Sequence, residues 1–316
     1  MSQQSALEYV RHGQTPFFRL PMVKPAIGSA DVYQGYHAAI LGVPTDAGTT
    51  YQPGARMAPY HLRRTSALLG PYHPTHRVDV FERLNAVDGG NVAAPPFSLE
   101  SIRQLVQLEV GAVVEAGATP FLVGGDHSIS LPALRAVAQR HGELAVVHID
   151  AHFDTSGPET WGEAFHHGTP MKHALEEGLI ARGQLHQVAI RVTWKGDDER
   201  DVSDAFDAKV YDMQMVESEG IRRVASQIRE QVGERPTYVS FDIDGVDPAY
   251  APGTGTPVPG GLTSREAISL LRMLSGVRLV GMDLVEVAPA LDHADITCHL
   301  GAQLLYEGLA LRALLQ

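Results

Sequence analysis

The chain has 316 residues, of which 44% are hydrophobic and 20% are charged, as in ordinary globular proteins. Its formal net charge of −12 argues against nucleic acid and anionic membrane surfaces as partners, and no apolar stretch reaches the roughly 18 residues of a membrane span. The single cysteine excludes a disulfide within the chain and, together with a polar start that does not resemble a signal peptide, predicts a cytoplasmic protein.

Short apolar runs alternate with amphipathic stretches along the chain. The predicted strands are 38–44, 119–125, 144–150, 186–192, 208–213, 237–244 and 277–287. The predicted helices are 54–69, 99–117, 130–141, 169–180, 217–232, 264–275 and 297–315. This alternation predicts βα units around a parallel sheet. Because no Pro/Gly/Ser-rich linker divides the chain, we expect one domain over residues 36–316, preceded by an N-terminal extension, residues 1–35, that wraps the surface or meets another subunit.

Polar side chains follow four of the predicted strands at the point where each strand ends. In the segment AVVHIDAHFDTS, Asp150, His152 and Asp154 occupy alternate positions and therefore point to one face of a strand. Similar residues follow three other strands, and the whole set is Asp126, His127, Asp150, His152, Asp154, Asp242, Asp244 and Glu286. In a parallel sheet the ligand crevice lies outside the carboxyl ends of the strands, so these side chains are expected to meet there.

Two histidines and four aspartates of this set form a candidate metal site. They are His127, Asp150, His152, Asp154, Asp242 and Asp244. Burial of so many carboxylates is costly unless cations pair with them. Carboxylate and imidazole ligands without thiolate suit Mn²⁺, with Fe, Co, Ni or Zn as alternatives. Six ligands are too many for one ion with an open position, so the pattern predicts two ions that activate a water molecule.

Isolated pairs such as Asp-x-Asp are more often helix caps or surface turns, so the repetition at three strand ends carries the metal prediction. His148 lies one step deeper in its strand and is expected to be a hydrogen-bonded core residue or to orient a ligand. Asp126, Asp247 and Asp283 are expected to satisfy turns or to orient ligands.

Around these residues the sequence resembles the ureohydrolase family, which includes arginases, agmatinases and guanidino-acid amidinohydrolases. The matching blocks are GGDHS (124–128), DAHFD (150–154), HGTP (167–170), SFDIDGVDPAYAPGTGTPVPGGLT (240–263) and DLVEVAP (283–289). A further block, GVPTDAGTTYQPGARMAP (42–59), is similar to the agmatinase branch. The resemblance implies a three-layer α/β/α sandwich with a mostly parallel sheet of about eight strands, assembled as a homotrimer or homohexamer.

The resemblance also implies two Mn²⁺ per subunit, with Ni²⁺ as the alternative. One ion would be held by His127, Asp150, Asp154 and Asp242, and the other by Asp150, His152, Asp242 and Asp244. The implied reaction hydrolyses a small cationic guanidino compound to urea and an amine. Glu286 would orient the guanidinium, and Asp154 would also accept a hydrogen bond from the attacking hydroxide. His167 would transfer protons, whereas the adjacent His166 is expected to point elsewhere.

The sequence gives less information about the tail of the substrate than about its guanidino group. The segment 155–167 lacks the Asn and Ser pattern of arginases, which disfavours arginine. Trp161 and Phe165 could pack against an aliphatic chain or a cationic amine, or could pack the loop itself. Thr45 in GVPTD replaces the bulkier residue often found there and in this resembles the subgroup that acts on guanidine itself. Both this segment and RVTWKGDD (191–198) are expected to border the pocket mouth, with Thr45 among the substrate-binding residues. We predict an agmatinase-type enzyme, with a guanidino-acid hydrolase or a guanidine hydrolase as alternatives.

Two other classes compete with this interpretation. A zinc amidohydrolase of the deacetylase type would need one metal, and the additional His152 and Asp244 argue against it. An inactive metal-binding scaffold would be expected to lack a ligand or Glu286, and none is missing. The chain contains no G-x-S-x-G motif for a serine nucleophile, and its glycine-rich stretch does not fit a dinucleotide site.

Overall fold

The computed structural model describes residues 16–23, 25–193 and 198–316. Their strands are β1 (Ala38–Gly42), β2 (Tyr72–His73), β3 (Val78–Asp79), β4 (Ala86–Asn91), β5 (Thr119–Val123), β6 (Leu144–Ile149), β7 (Ile180–Val188), β8 (Lys209–Tyr211), β9 (Thr237–Asp242) and β10 (Leu279–Val285). Eight of them form one sheet in the order β4-β1-β5-β10-β9-β6-β7-β8, and every neighbouring pair is parallel. Strands β2 and β3 form a separate antiparallel hairpin.

The α-helices of the described residues are α1 (Ala58–Ser66), α2 (Val80–Arg83), α3 (Leu99–Glu115), α4 (Ser130–His141), α5 (Pro158–Trp161), α6 (Pro170–Glu176), α7 (Asp198–Ala205), α8 (Met213–Glu219), α9 (Ile221–Val232), α10 (Ser264–Met273) and α11 (Ile296–Ala313). Short 3₁₀ turns cover Phe17–Arg19, Asp31–Tyr33, Ala55–Met57, His127–Ile129, Ile243–Gly245 and Pro289–Leu291. None of these helices is long and apolar enough to cross a membrane.

The sheet lies between two layers of helices, each packed on its own apolar core. Side chains alternate along each strand, so that Ile40 of β1 faces one core and its neighbour Leu41 faces the other. Helices α1, α9, α10 and α11 cover the first core, while α3, α4 and α6 cover the second. The predicted three-layer α/β/α sandwich with an eight-stranded parallel sheet is confirmed.

All seven predicted strands are present in the sheet. Its eighth strand, β4, was not predicted, and neither were the two short strands of the hairpin, β2 and β3. The β4 sequence AVDGGN contains one β-branched residue, its valine, and no aromatic residue, while Asp, Gly and Asn are residues that are depleted in strands. Its buried Asp88 is balanced by Arg63, whose Nε donates to Oδ2 at 2.8 Å. A Cβ at Gly89 would overlap the ends of the Tyr33 and Leu41 side chains, so the absence of a side chain here lets both pack against the strand. These contacts join residues that are distant in the sequence. The sequence pattern does not show them, which explains why this strand was not predicted.

Part of the segment predicted as an N-terminal extension packs on the first core. Phe17 and Phe18 are completely buried, and the amide of Phe17 donates to Asp88 Oδ2 at 3.0 Å. Residues 1–15 lie outside the described residues, and the division of the chain at residue 35 stays a prediction.

The parallel sheet places the carboxyl ends of all eight strands at one edge. The four central strands, β5, β10, β9 and β6, are consecutive neighbours in the sheet, and each is followed by predicted site residues. Helix-to-strand connections such as 116–118, 142–143 and 233–236 therefore lie at the opposite edge. This geometry brings segments far apart in the sequence to one crevice.

Candidate metal centre

His127 stands at the centre of a group of carboxylates. It lies in the 3₁₀ turn that follows β5, and its side chain is almost completely buried. The Nδ1 atom is 2.9 Å from Asp154 Oδ2, 3.1 Å from Asp150 Oδ2 and 3.2 Å from Asp242 Oδ2. One imidazole nitrogen thus faces three carboxylate oxygens that come from two other strand ends.

The hydrogen bonds behind His127 determine which of its nitrogens carries the proton. The Ser240 hydroxyl donates to Asp283 Oδ1 at 2.8 Å, and Asp283 also accepts from the Tyr238 hydroxyl at 2.9 Å. Because the single hydroxyl proton of Ser240 is used in this way, its oxygen accepts from His127 Nε2 at 2.8 Å. The Nδ1 lone pair of a neutral His127 therefore points at the three carboxylates.

This arrangement fits a cation and is unfavourable without one. Within the described chain, His127 Nδ1 and Asp154 Oδ2 are both buried and make no hydrogen bond. Burial lowers the pKa of His127, but the carboxylates of Asp154, Asp150 and Asp242 outweigh it and hold that pKa well above its usual value. A divalent ion between these groups would take the place of the proton, and imidazole with carboxylate ligands suits manganese-type ions.

A second group of ligands adjoins the first and shares Asp150 with it. His152 Nδ1 is 3.3 Å from Asp150 Oδ1 and 3.1 Å from Asp244 Oδ2. Asp150 therefore presents Oδ2 to His127 and Oδ1 to His152, which is the arrangement required of a bridging carboxylate. Asp242 lies beside both groups, since its Oδ1 accepts from the Asp244 amide at 2.8 Å. All six predicted ligands come together at this crevice, as two adjacent groups.

Two residues of the site have a left-handed backbone that only glycine adopts readily. The φ angles are 54° at Asp154 and 61° at Glu286. Such positions cost about 1–3 kcal/mol each and persist only where the surrounding structure imposes them. Seven other non-glycine residues among those described share this sign of φ, so the conformation shows that packing holds the backbone of Asp154 and Glu286 in place and is not by itself a sign of function.

Glu286 and His167 form a hydrogen-bonded pair next to His127. Glu286 Oε1 accepts from the His127 amide at 2.9 Å and lies 2.8 Å from His167 Nδ1. The Thr50 amide points at His167 Nε2 at 3.2 Å, so Nε2 is an acceptor and Nδ1–H donates to Glu286. Among the described residues, Oε2 of Glu286 accepts no hydrogen bond and is available to a ligand.

The electrostatic surroundings of His167 prepare it to exchange protons. Burial lowers its pKa, but the adjacent Glu286 carboxylate outweighs it and raises the pKa to about 9. The Thr50 hydroxyl lies 2.7 Å from Nε2, the nitrogen that would take up the second proton. His167 thus holds its proton on Nδ1 in the geometry described, and its environment favours a further proton on Nε2.

A cavity of about 320 Å³ opens above these residues. It is lined by Thr50, Tyr51, His127, His152, Asp154, Ser156, Trp161, His166, His167, Gly168, Val192, Glu199, Asp242 and Thr256. Glu286 lies one hydrogen bond behind this wall, through His127 and His167. The cavity is large enough for a small organic molecule with its reacting carbon at the metal ligands.

Three sequence predictions about the cavity need correction. Phe165 does not line it, because its ring stacks on His173 at 4.4 Å and lies under the Arg103 guanidinium at 3.9 Å. Thr45 is buried away from it, where Oγ1 accepts from the Ala47 amide at 3.3 Å. His166, expected to point elsewhere, does line it. Trp161 lines the cavity as predicted, with 55% of its surface exposed.

Sequence reasoning missed Glu199 and the part played by Thr50. Glu199 belongs to helix α7, lines the cavity, and has its pKa raised to about 7 by burial and then by Asp154. A lone glutamate in the acidic stretch DDERD carries no signal that distinguishes it from a solvated helix terminus. Trp194 and Lys195, predicted near the pocket mouth, lie outside the described residues.

Comparison with known proteins gives consistent matches along the chain. The model of the arginase family matches residues 36–310. The chain is 41% identical over 302 residues to proclavaminate amidinohydrolase of Streptomyces clavuligerus, covering 94% of both chains. It is 40% identical to agmatinase of Proteus mirabilis, covering 94% of this chain and 92% of the relative. It is 37% identical to guanidinobutyrase of Pseudomonas aeruginosa, covering 93% and 91%.

The solved structure of the Streptomyces clavuligerus proclavaminate amidinohydrolase superimposes with a TM-score of 0.90 at 40% identity. The match covers 97% of this chain and 99% of that one. The similarity in fold therefore extends over nearly the whole of both chains.

Proposed function

The chain belongs to the arginase family and is a hydrolase of amidino C–N bonds, and on that premise we propose that its substrate is a guanidino compound with a cationic tail, of the agmatine type. The observation that carries this proposal is a pair of carboxylates that are not among the predicted ligands. Glu286 stands behind the cavity wall at the metal centre, and Glu199 is part of that wall. A molecule with a guanidinium at one end and an ammonium at the other satisfies both.

The proposed reaction converts the guanidinium and one water molecule into urea and a protonated amine. A C–O bond forms at the guanidinium carbon, the C–N bond to the tail breaks, and the leaving nitrogen ends as an ammonium. When bound at the two ligand groups, divalent cations lower the pKa of a water molecule and so supply the nucleophile at neutral pH.

The residues of the chain perform the remaining steps. Oε2 of Glu286 accepts hydrogen bonds from the guanidinium and holds its plane against the ligand groups. The carboxylate of Asp154 accepts a hydrogen bond from the attacking oxygen. His167 takes a proton at Nε2 and delivers it to the leaving nitrogen, with the Thr50 hydroxyl 2.7 Å away to relay its replacement.

A guanidino-acid substrate is the second candidate, because the guanidinobutyrase of Pseudomonas aeruginosa is among the relatives. A carboxylate tail requires a cationic partner, and the described residues that line the cavity include neither lysine nor arginine. The ionised form of Glu199 would repel such a tail, whereas a cationic tail would stabilise that form. These two observations favour an ammonium tail over a carboxylate tail.

The test is a urea-release screen of the manganese-loaded and the nickel-loaded protein. The substrates are agmatine, guanidinobutyrate, guanidinopropionate, arginine and guanidine. We expect agmatine to have the highest kcat/KM, and Glu199→Gln to lower it by about 10-fold or more, as loss of a charge-assisted hydrogen bond does. Glu217→Gln removes an exposed carboxylate on helix α8, away from the cavity, and serves as the matched control.

Two results would contradict the proposal. Preferred hydrolysis of guanidinobutyrate would place the enzyme among guanidino-acid hydrolases. Equal effects of Glu199→Gln on agmatine and guanidinobutyrate would show that this carboxylate does not select the tail.

The proposal includes two manganese ions per subunit, a homotrimer or homohexamer, and a cytoplasmic location. The donor set of imidazoles and carboxylates and the bridging position of Asp150 support a pair of ions. Metal analysis of the purified protein tests the number of ions, and light scattering after size exclusion tests the oligomeric state. One ion per chain, or a monomer at working concentration, would contradict the proposal.

A further inference from the structure

A line of buried hydrogen bonds approaches the bridging carboxylate from the side away from the cavity. Gln187 of β7 lies beside His148 of β6 in the parallel register of the two strands, and Ser203 of α7 lies beyond Gln187. The Ser203 hydroxyl is 2.7 Å from Gln187 Oε1, and Gln187 Nε2 is 3.3 Å from His148 Nδ1. His148 Nε2 is 2.8 Å from Asp150 Oδ2. All four side chains are completely or almost completely buried.

One backbone carbonyl determines which group donates and which accepts in each hydrogen bond of this line. The carbonyl oxygen of Phe153 can only accept, so the Gln187 amide must turn its nitrogen toward it, at 2.8 Å. The amide oxygen then faces Ser203, whose hydroxyl must donate to it. The same nitrogen donates to His148 Nδ1, so the His148 proton is on Nε2 and is donated to Asp150.

The carboxylate that receives this bond is the one shared by the two ligand groups. Its Oδ2 also lies 3.1 Å from His127 Nδ1, whereas its Oδ1 accepts from the His152 amide at 2.6 Å. Rotation of the carboxylate plane would withdraw one oxygen from each group. Donors at both oxygens oppose that rotation, and the donor at Oδ2 depends on the proton position in His148.

We propose that Ser203, Gln187 and His148 are positioning residues that hold Asp150 in the orientation that lets two ions share it. This inference rests on the proposed two-metal function and adds to it residues outside the ligand set. Ser203 and Gln187 act through His148 and do not touch the ions. Hydrogen-bonding partners behind metal ligands typically change metal affinity by about 10–100-fold when they are removed.

The experiment uses the full-length protein loaded with Mn²⁺. Gln187→Met keeps the length of the side chain and removes its amide, while Gln184→Met makes the same change on the same strand outside the line. Manganese affinity is measured by chelator competition, and the exchange-coupled signal of the ion pair by electron paramagnetic resonance. We expect Gln187→Met to bind manganese about 10–100-fold more weakly and to lose the coupled signal at stoichiometric metal. Gln184→Met should match the wild type.

A purely structural role predicts a different result. Gln187→Met would then lower the unfolding temperature of the metal-free protein, yet the folded protein would bind both ions with wild-type affinity, and this would overturn the proposal. Equal loss of affinity in Gln184→Met would also overturn it. Because Gln187→Met leaves the Phe153 carbonyl without its donor, Ser203→Ala is the second variant. It keeps the amide in place and is expected to weaken manganese binding in the same direction, and wild-type affinity in a folded Ser203→Ala would count against the line.

Failure of the proposed function is recognised separately. A wild-type protein that binds two coupled ions but releases urea from none of the guanidino compounds would refute the function, while the affinity loss in Gln187→Met would still support the positioning role.

Discussion

His186 provides a sharp test of how burial controls charge in this fold. It lies on β7 with its side chain completely buried, and neither ring nitrogen has a hydrogen-bond partner among the described residues. Burial, followed by the charge of Lys209, lowers the pKa of His186 from 6.5 to about 4. The folded protein therefore keeps this imidazole neutral at pH values where the unfolded chain protonates it.

The sign and size of the effect follow from these two pKa values. Because the folded value is the lower one, the stability that depends on neutral His186 is complete above pH 6.5 and is lost as the pH falls toward about 4. The slope is about 1.4 kcal/mol per pH unit, so the total is about 3 kcal/mol, of which about 2 kcal/mol is lost between about pH 7 and about pH 5.

The perturbation is His186→Leu, which removes the titrating ring and keeps an apolar side chain against Tyr211, on which His186 stacks at 6.3 Å. Urea denaturation is measured at about pH 7 and about pH 5, with chelator present and at equal protein concentration. Other titrating groups are common to both proteins, so their contributions cancel in the comparison. The wild type should lose about 2 kcal/mol more than the variant on going to the lower pH. Equal losses would refute the claim that His186 is buried in its neutral form.

Three further predictions concern polar contacts. Thr50→Val, which removes the hydroxyl beside His167, should lower kcat about 10-fold with manganese content unchanged, whereas Thr50→Ser should retain activity; loss of manganese in Thr50→Val would contradict this. Ser240→Ala, which removes the acceptor that determines the proton position of His127, should weaken manganese binding about 10–100-fold in chelator competition, and wild-type affinity would show that this hydrogen bond is dispensable. Glu307→Ala leaves the buried imidazole and the guanidinium that bind this carboxylate without a partner, and should lower the free energy of unfolding in urea by about 3 kcal/mol. A loss below about 1 kcal/mol would argue that the pair contributes little.

The central part of the fold was predictable because its strands are short apolar runs between amphipathic stretches. The one strand of the main sheet that was not predicted, β4, is held by specific contacts, namely the Asp88–Arg63 ion pair and the close approach of Tyr33 to Gly89. The predicted helix 217–232 is in fact two helices, α8 and α9, because Gly220 between them has a φ of 82°. The spacing of apolar residues along the segment does not indicate such a break.

The residues of the site also differ in whether the sequence could predict them. The candidate ligands could be recognised because each follows a strand that the topology places at the centre of the sheet. Residues that approach the cavity from loops and short helices, such as Thr50 and Glu199, could not be recognised, because the sequence does not specify how those segments return to the crevice. Phe165 shows the reverse error, since this aromatic residue between two motifs packs against His173 of α6 and Arg103 of α3 and does not line the cavity.

The separation of the two edges of the sheet has a practical consequence. The candidate ligands and the cavity lie at the carboxyl ends of the strands, whereas connections such as 142–143 and 233–236 lie about one strand length away. A β-strand of six residues, such as β6, spans roughly 20 Å. A surface linkage, a fluorescent dye or an inserted reporter attached at those connections would leave the mouth of the cavity open to solvent, so immobilised protein should turn over substrate at the rate of the free protein.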